Sequence, residues 1–225
     1  AAGQVIIARM PLAQAAQERK LPYVQVAAMA AQVMNKLLAA RNLRRAPGLD
    51  DKIIVSWNGL MIDAYAHAAR VFNEPRYLAI AQKAANFILD KALTDEGKLC
   101  RIIAGGKAHI DATLEDYAFL VKGLLSLWRA RGAKESLLAA TDLMARAEEL
   151  FADAASPGYF SSAPDEFTLI RIKSHDDSAL PNANAIMAEN CMALFAATGE
   201  AHYQDKAQAL LRYFLQRDIT VESAS

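Results

Sequence analysis

Two cysteines in 225 residues, Cys100 and Cys191, are too few and too far apart for a disulfide framework or a Cys/His metal cluster. They suit free thiols in a reducing, cytoplasmic setting. Neither charge is in surplus, with 25 Lys plus Arg against 25 Asp plus Glu, so the basic footprint of a nucleic-acid binder is missing. No apolar run reaches the roughly 18 residues of a membrane span. The stretch from Ala1 to Lys20 lacks the basic-then-apolar layout of a secretory leader. Gly105-Gly106 is followed by Lys107 and then Ala108, so the Ser/Thr of a phosphate cradle is missing. Ser56 and Ser178 have no His–Asp arrangement that would make a serine nucleophile. No cofactor, metal, nucleic acid or membrane is therefore expected.

Apolar material is abundant instead. Hydrophobic residues make up 54% of the chain and charged ones 22%, enough for a large core. Gln4 to Met10 alternates weakly, as a short strand would. Pro11 to Arg19 reads as a short helix with proline at its start. Tyr23 to Arg44 carries apolar residues at helical spacing, and Pro47-Gly48 breaks it. Six further helices are predicted: Trp57 to Phe72, Arg76 to Ala92, Leu114 to Arg131, Glu135 to Asp153, Ala183 to Thr198 and Ala201 to Arg217. Lys98 to Ile103 and Lys107 to Ile110 read as a small hairpin around Gly105-Gly106. Gly158 to Ser162 and Phe167 to Ile172 read as a second one.

These helices fall into three pairs. The stops Asn73, Gly132 and Gly199 recur at roughly sixty-residue intervals, as in a helical repeat array. In each pair the first helix is apolar on most faces and the second is amphipathic. Short links join the members of a pair, and long links join the pairs. Antiparallel packing then collects all long links at one end, where binding residues are favoured. Helix starts gather there too, and their N–H groups favour anions and hydroxyls.

Three corners lie at that end: Asp50-Asp51-Lys52 running into Ser56-Trp57-Asn58-Gly59-Leu60-Met61-Ile62, then Leu114-Glu115-Asp116-Tyr117-Ala118, then Asp177-Ser178-Ala179-Leu180-Pro181-Asn182-Ala183-Asn184. Together they resemble the C-terminal region of the YyaL-type, thioredoxin-domain-containing proteins, a group that includes spermatogenesis-associated members. The family tends to read Asp-Gly-Ala-x-Pro-Ser-Gly-Asn at the third corner; here both glycines are replaced. The resemblance implies an all-α fold of antiparallel helical hairpins, a partial (α/α)6 toroid similar to six-hairpin glycosidases, with small β-hairpins in the long loops. It implies one such domain over residues 1–225, about half a toroid, without the family's thioredoxin-like domain. Sugar sites in such toroids lie in the central funnel, at the starts of the inner helices.

Each candidate residue has two readings. Glu115, Asp116 and Asp177 suit general acid/base work on a sugar; Glu115 and Asp116 equally suit a helix cap. Trp57 and Tyr117 suit a sugar-stacking platform, or plain core. Asn58, Asn182 and Asn184 suit hydroxyl recognition, or caps. His175 heads a polar cluster with Asp176 and Asp177, suited to proton transfer or to a solvated loop. His67 is expected to pair with Asp63, and Glu189 and Asn190 to hydrogen-bond inside the core. The ligand expected is a sugar, for hydrolase or epimerase-like chemistry. The competing reading is a noncatalytic helical scaffold. Apolar faces left bare at the terminal repeats predict self-association.

Overall fold

Pro11 and Pro22 each stand immediately before a helix, where a missing N–H costs no hydrogen bond. They introduce α1 (Leu12–Arg19) and α2 (Tyr23–Asn42). The computed structural model describes residues 10–165 and 169–222, with side chains as far as residue 216. The strand expected over Gln4 to Met10 lies, apart from Met10, outside those residues. The sequence reads as one domain over 1–225; tertiary contacts divide it into two units, Ala1–Asp50 and Asp51–Ser225. In the first unit, α1 and α2 flank an apolar cavity of about 600 Å³ lined by Met10, Leu12, Val26, Met29 and Val33. Helix α2 buries none of its residues.

The second unit runs β1 (Ile53–Ile54), α3 (Val55–Val71), α4 (Pro75–Lys91), β2 (Cys100–Ala104), β3 (Lys107–Asp111), α5 (Leu114–Arg131), α6 (Lys134–Phe151), α7 (Ala183–Thr198) and α8 (Ala201–Glu222). Helices α3/α4, α5/α6 and α7/α8 form three hairpins. Their turns sit at residues in the left-handed region: Asn73 at φ 50°, Gly132 at 69° and Gly199 at 77°. Glycine reaches that conformation without strain and asparagine at small cost.

Helix α5 is the hub, packed against α3, α6 and α7. It buries Tyr117, Phe119, Leu120, Leu124 and Leu127 on all sides, each such side chain contributing about 1.5–3 kcal/mol. Its seam with α3 is a backbone contact. A Cβ on Gly59 would lie 2.5 Å from the Phe119 carbonyl carbon, and one on Gly123 would lie 2.7 Å from the Gly59 oxygen. The α5–α7 seam is held by Asn190, whose Nδ2 donates to the Ala118 carbonyl at 2.8 Å.

Strands β2 and β3 form the first expected hairpin, pairing Ile102 with His109. They gain a third strand because β1 pairs with β2, Ile53 opposite Ile103. The second expected hairpin does not form a ladder among the described residues; Phe167 itself lies outside them. Side chains hold that segment instead. Arg171 donates to the Ser162 and Leu150 carbonyls, and one backbone bond joins Ser161 N–H to Ile172 O at 2.8 Å. Two further expectations change. Asp63 accepts from the Ser126 hydroxyl rather than pairing with His67, which is exposed. Glu189 is exposed and forms an ion pair with Lys122, while Asn190 is buried as expected.

Candidate functional site

The start of α3 has no side-chain cap. Asn58, in its first turn, donates from Nδ2 to the Ile54 carbonyl at 2.8 Å, which stitches the strand-to-helix corner. Asn58 is thus a local fastener and not a cap for the N–H groups. Trp57 is 56% exposed, on the α3 flank opposite the buried residues Val55, Gly59, Ile62 and Ala66.

The start of α5 is a capping box. Thr113 is the N-cap, and the Asp116 Oδ2 accepts from the Thr113 N–H at 3.0 Å and from its hydroxyl at 3.0 Å. Arg101, reaching over from β2, donates to that same oxygen at 3.2 Å and to Thr113 Oγ1 at 2.7 Å. The Asp116 Oδ1 accepts from the Ser56 N–H at 3.1 Å. Asp116 is fully buried, and both its oxygens are engaged. It is a structural clamp, which removes it as an acid/base candidate. Glu115 beside it is half-exposed and lies 3.9 Å from Arg101. Tyr117 is core: its hydroxyl accepts from the Leu99 N–H at 3.0 Å and its ring meets Phe151 edge-on at 5.5 Å. Burial pushes its phenol up in pKa. It cannot stack on a sugar.

The start of α7 is capped by Asn182, whose Oδ1 accepts from the N–H groups of Asn184 and Ala185 at 2.9 and 3.2 Å. Its own N–H donates to Asp177 Oδ1 at 2.8 Å, and its Nδ2 donates to the Asp176 carbonyl at 3.1 Å. Asn184 acts like a strand residue in miniature. Its Oδ1 accepts from Tyr159 N–H at 2.8 Å, and its Nδ2 donates to Tyr159 O and Ser174 O, both at 3.1 Å. Both asparagines thus serve the loop. Neither Ser178 nor Ala183, standing where the family tends to glycine, has a positive φ, so side chains fit the backbone there without strain.

The loop is anchored by Lys173. Its Nζ reaches Asp153 Oδ2 at 2.6 Å and Ser156 Oγ at 2.9 Å, between the rings of Phe160 and Tyr213. That ammonium, with the Ala155 N–H and the Ser156 hydroxyl, holds the Asp153 carboxyl well below the usual range.

The corners meet in series. Ser56 joins the first to the second through Asp116. A cavity of about 80 Å³ lies between the second and third, lined by Leu114, Glu115, Ser161, Ser174, Asp176 and Asn184. A larger cavity of about 340 Å³ adjoins the third corner, lined by His175, Asp176 and Asp177 from the loop and by Leu211 and Phe214 from α8. Glu115, His175, Asp177, Asn182 and Asn184 therefore gather around two cavities that share Asp176, Asn182 and Asn184. Trp57, Asn58, Asp116 and Tyr117 line neither. Arg101 and Thr113 were not foreseeable as one unit. Thr113-x-x-Asp116 is a readable capping pattern, but Arg101 arrives only through the strand pairing.

A family profile described as N-acylglucosamine 2-epimerase matches residues 42–224. Spermatogenesis-associated protein 20 of Homo sapiens is 34% identical over 195 residues, covering 82% of this chain and 25% of that protein. The Mus musculus counterpart is 32% identical over 225 residues, covering 95% of this chain and 28% of that protein. The chain thus spans about a quarter of the length of the curated relatives it matches. Among solved structures, cellobiose 2-epimerase from Spirochaeta thermophila superposes with a TM-score of 0.60 at 18% identity, covering 72% of this chain and 43% of that one. A GH76 alpha-mannanase from Bacteroides thetaiotaomicron gives 0.61 at 16% identity, covering 74% and 45%. The fold is a partial (α/α)6 toroid. No helix among the described residues is long and apolar enough to cross a membrane. The family profile covers most of the chain, and the hairpins it spans are those of the toroid: this chain belongs to the N-acylglucosamine 2-epimerase family.

Proposed function

We propose that the rim between the starts of α5 and α7 binds a carbohydrate and processes it by hydrolase or epimerase-like chemistry. One observation carries this reading: acids from two helix starts, the half-exposed Glu115 and the exposed pair Asp176 and Asp177, border adjoining cavities at the end where the long links lie. Hydroxyl-rich ligands are recognised by such carboxylates and by the serines among them. Asp177, engaged through one oxygen by the Asn182 N–H, is the acid/base candidate; Glu115 is its partner. The two buried thiols accord with a reducing, cytoplasmic setting.

A noncatalytic sugar-binding or interaction scaffold is the second reading. It is favoured by the commitment of Asp116, Asn182 and Asn184 to internal bonds. A thermal-shift panel of neutral and N-acetylated sugars separates the readings. A ligand at ten times its Kd should raise stability by about 1.4 kcal/mol, or roughly 2–6 °C. Asp177→Asn should abolish the shift while leaving the unliganded melting temperature unchanged. Turnover is read by deuterium uptake from heavy water into the sugar, or by new reducing ends. A shift without turnover supports the scaffold, and no shift with any sugar removes the carbohydrate reading.

A further inference from the structure

Lysine is rarely buried unless it is paired. The Lys173 side chain is only 8% exposed, at the foot of the loop that carries His175, Asp176 and Asp177. It lines neither cavity of the site. Its ammonium meets Asp153 Oδ2 at 2.6 Å, Ser156 Oγ at 2.9 Å, the Pro157 carbonyl at 3.1 Å and the Ser156 carbonyl at 3.4 Å. The rings of Phe160 and Tyr213 stand 5.4 and 4.9 Å from it.

The lysine stem passes over Gly158, which has φ 111°. A Cβ there would lie 3.0 Å from Lys173 Cδ, 3.3 Å from Phe214 Cζ and 3.4 Å from Asn184 Oδ1. The stem, a ring that lines the larger cavity, and the amide that holds the loop therefore converge where a side chain is missing.

From Lys173 onward the loop is tied almost residue by residue. The Ser174 carbonyl accepts from Asn184 Nδ2 at 3.1 Å, and the Ser174 hydroxyl from Asn182 Nδ2 at 3.4 Å. The Asp176 carbonyl accepts from the same Asn182 Nδ2 at 3.1 Å, and Asp177 Oδ1 from the Asn182 N–H at 2.8 Å. Asp177 Oδ2 receives no donor among the described residues. Neutral ties contribute about 0.5–1.5 kcal/mol each, whereas bonds between charged partners are roughly twice as strong. The firmest hold on the loop is therefore the slot at Lys173, four residues before the acid.

We propose that Lys173, seated in the Asp153 slot, is a positioning residue for the site: through Ser174 and the two asparagines it fixes Asp177 so that Oδ2 is presented to the ligand. What Asp177 then does rests on the carbohydrate reading; the positioning itself can be measured without a ligand.

The test is NMR of the asparagine side-chain amides in the 225-residue chain, with Lys173→Met and Lys173→Gln as variants. Asn190, whose amide donates to the Ala118 carbonyl from the middle of α7, is the internal reference. Lys173→Met should shift the Asn182 and Asn184 amide signals toward free-amide positions and speed their exchange with water, leaving Asn190 as it is. Lys173→Gln, which keeps a donor in the slot, should change the same two signals less. Asp153→Asn, which empties the slot of its charge from the other side, should reproduce the Lys173→Met pattern. Signals that stay put in Lys173→Met overturn the proposal. So does a change that reaches Asn190 equally in both lysine variants, which marks a general loss of fold. A second arm titrates N-acetylglucosamine and mannose. A loop in its binding form one-tenth of the time raises the apparent Kd about tenfold, so Lys173→Met should weaken binding by that order. An unchanged Kd overturns the link to Asp177. A wild type that binds neither sugar counts against the carbohydrate reading, and the asparagine signals still decide the positioning.

Discussion

The Ser56 N–H donates to Asp116 Oδ1 at 3.1 Å, tying the first turn of α3 to the first turn of α5 across sixty residues of chain. The other oxygen of the same carboxylate closes the Thr113 capping box and receives Arg101. One buried side chain therefore fixes two helix starts and the sheet beside them. Asp116→Ala should destabilise the domain by roughly 3 kcal/mol, combining a lost cap with charge-assisted bonds left unmade. Asp116→Asn should cost less, because an amide retains one accepting oxygen. Denaturant titration checks both. A loss below about 1 kcal/mol for the alanine variant would mean the clamp is not structural.

The α3–α5 seam depends on two glycines. Alanine at either position would gain up to about 1 kcal/mol in helix propensity. At Gly59, however, the new Cβ would sit 2.5–2.6 Å from backbone atoms of Phe119 and Leu120, which cannot rotate away. Overpacking of this kind costs about 1–3 kcal/mol or more. Gly59→Ala should therefore lower stability by a net 1 kcal/mol or more. Gly123→Ala should cost less, since two of its three near neighbours, at 3.0 and 3.1 Å, are side-chain atoms of Ile62. Calorimetry of the two variants should give that order.

Much of this fold was legible because its signals are local. Asn73, Gly132 and Gly199 stop helices through their own backbone preferences, and the apolar breadth of Leu114–Arg131 shows that it is enclosed. At Gly123, inside α5, the close helix contact is with Gly59. The site was less legible because each misread residue is decided by a distant partner. Asp116 reads as a cap or as an acid until Ser56 and Arg101 are placed around it. Tyr117 reads as a platform until Leu99 takes its hydroxyl. Trp57 lies on an apolar helix face, but periodicity alone cannot say which flank has a neighbour. The segment from Gly158 to Pro181 has no period to read, being held by the side chains of Arg171, Lys173, Asn182 and Asn184.

Acid should loosen that segment first. The Asp153 carboxyl is held below its ordinary range, chiefly by Lys173. A depressed carboxyl stabilises the fold fully above its unfolded pKa, near 4, and loses that contribution as pH falls through its folded value. Asp153→Asn should melt below wild type at neutral pH, and the gap should narrow steadily below about pH 4. A gap that stays constant from neutral to strongly acidic pH would show that the ion pair does not titrate with folding.

The two thiols should be silent in the native state. Burial, followed by the nearby Glu148 carboxylate, pushes the Cys191 thiol up to about 12. Cys100 is raised as well, by burial and then by Asp111. Only thiolate attacks a disulfide reagent, and against an ordinary pKa near 8.5 the thiolate fraction of Cys191 at neutral pH falls by roughly three orders of magnitude. An aromatic disulfide reagent should therefore label neither cysteine promptly, yet titrate both after guanidinium unfolding. Because Cys100 lies nearer the surface, at 6% exposure against 0% for Cys191, it should react first when the native protein is left with reagent. Cys191 should follow at the rate at which α7 and α8 part. Raising the pH from 7 to 9 should speed Cys100 more, since an opening-limited reaction does not depend on thiolate fraction. Prompt labelling of Cys191 in the folded chain would mean that α7 is not enclosed between α5 and α8, and that the third corner is not fixed in the way its asparagines indicate.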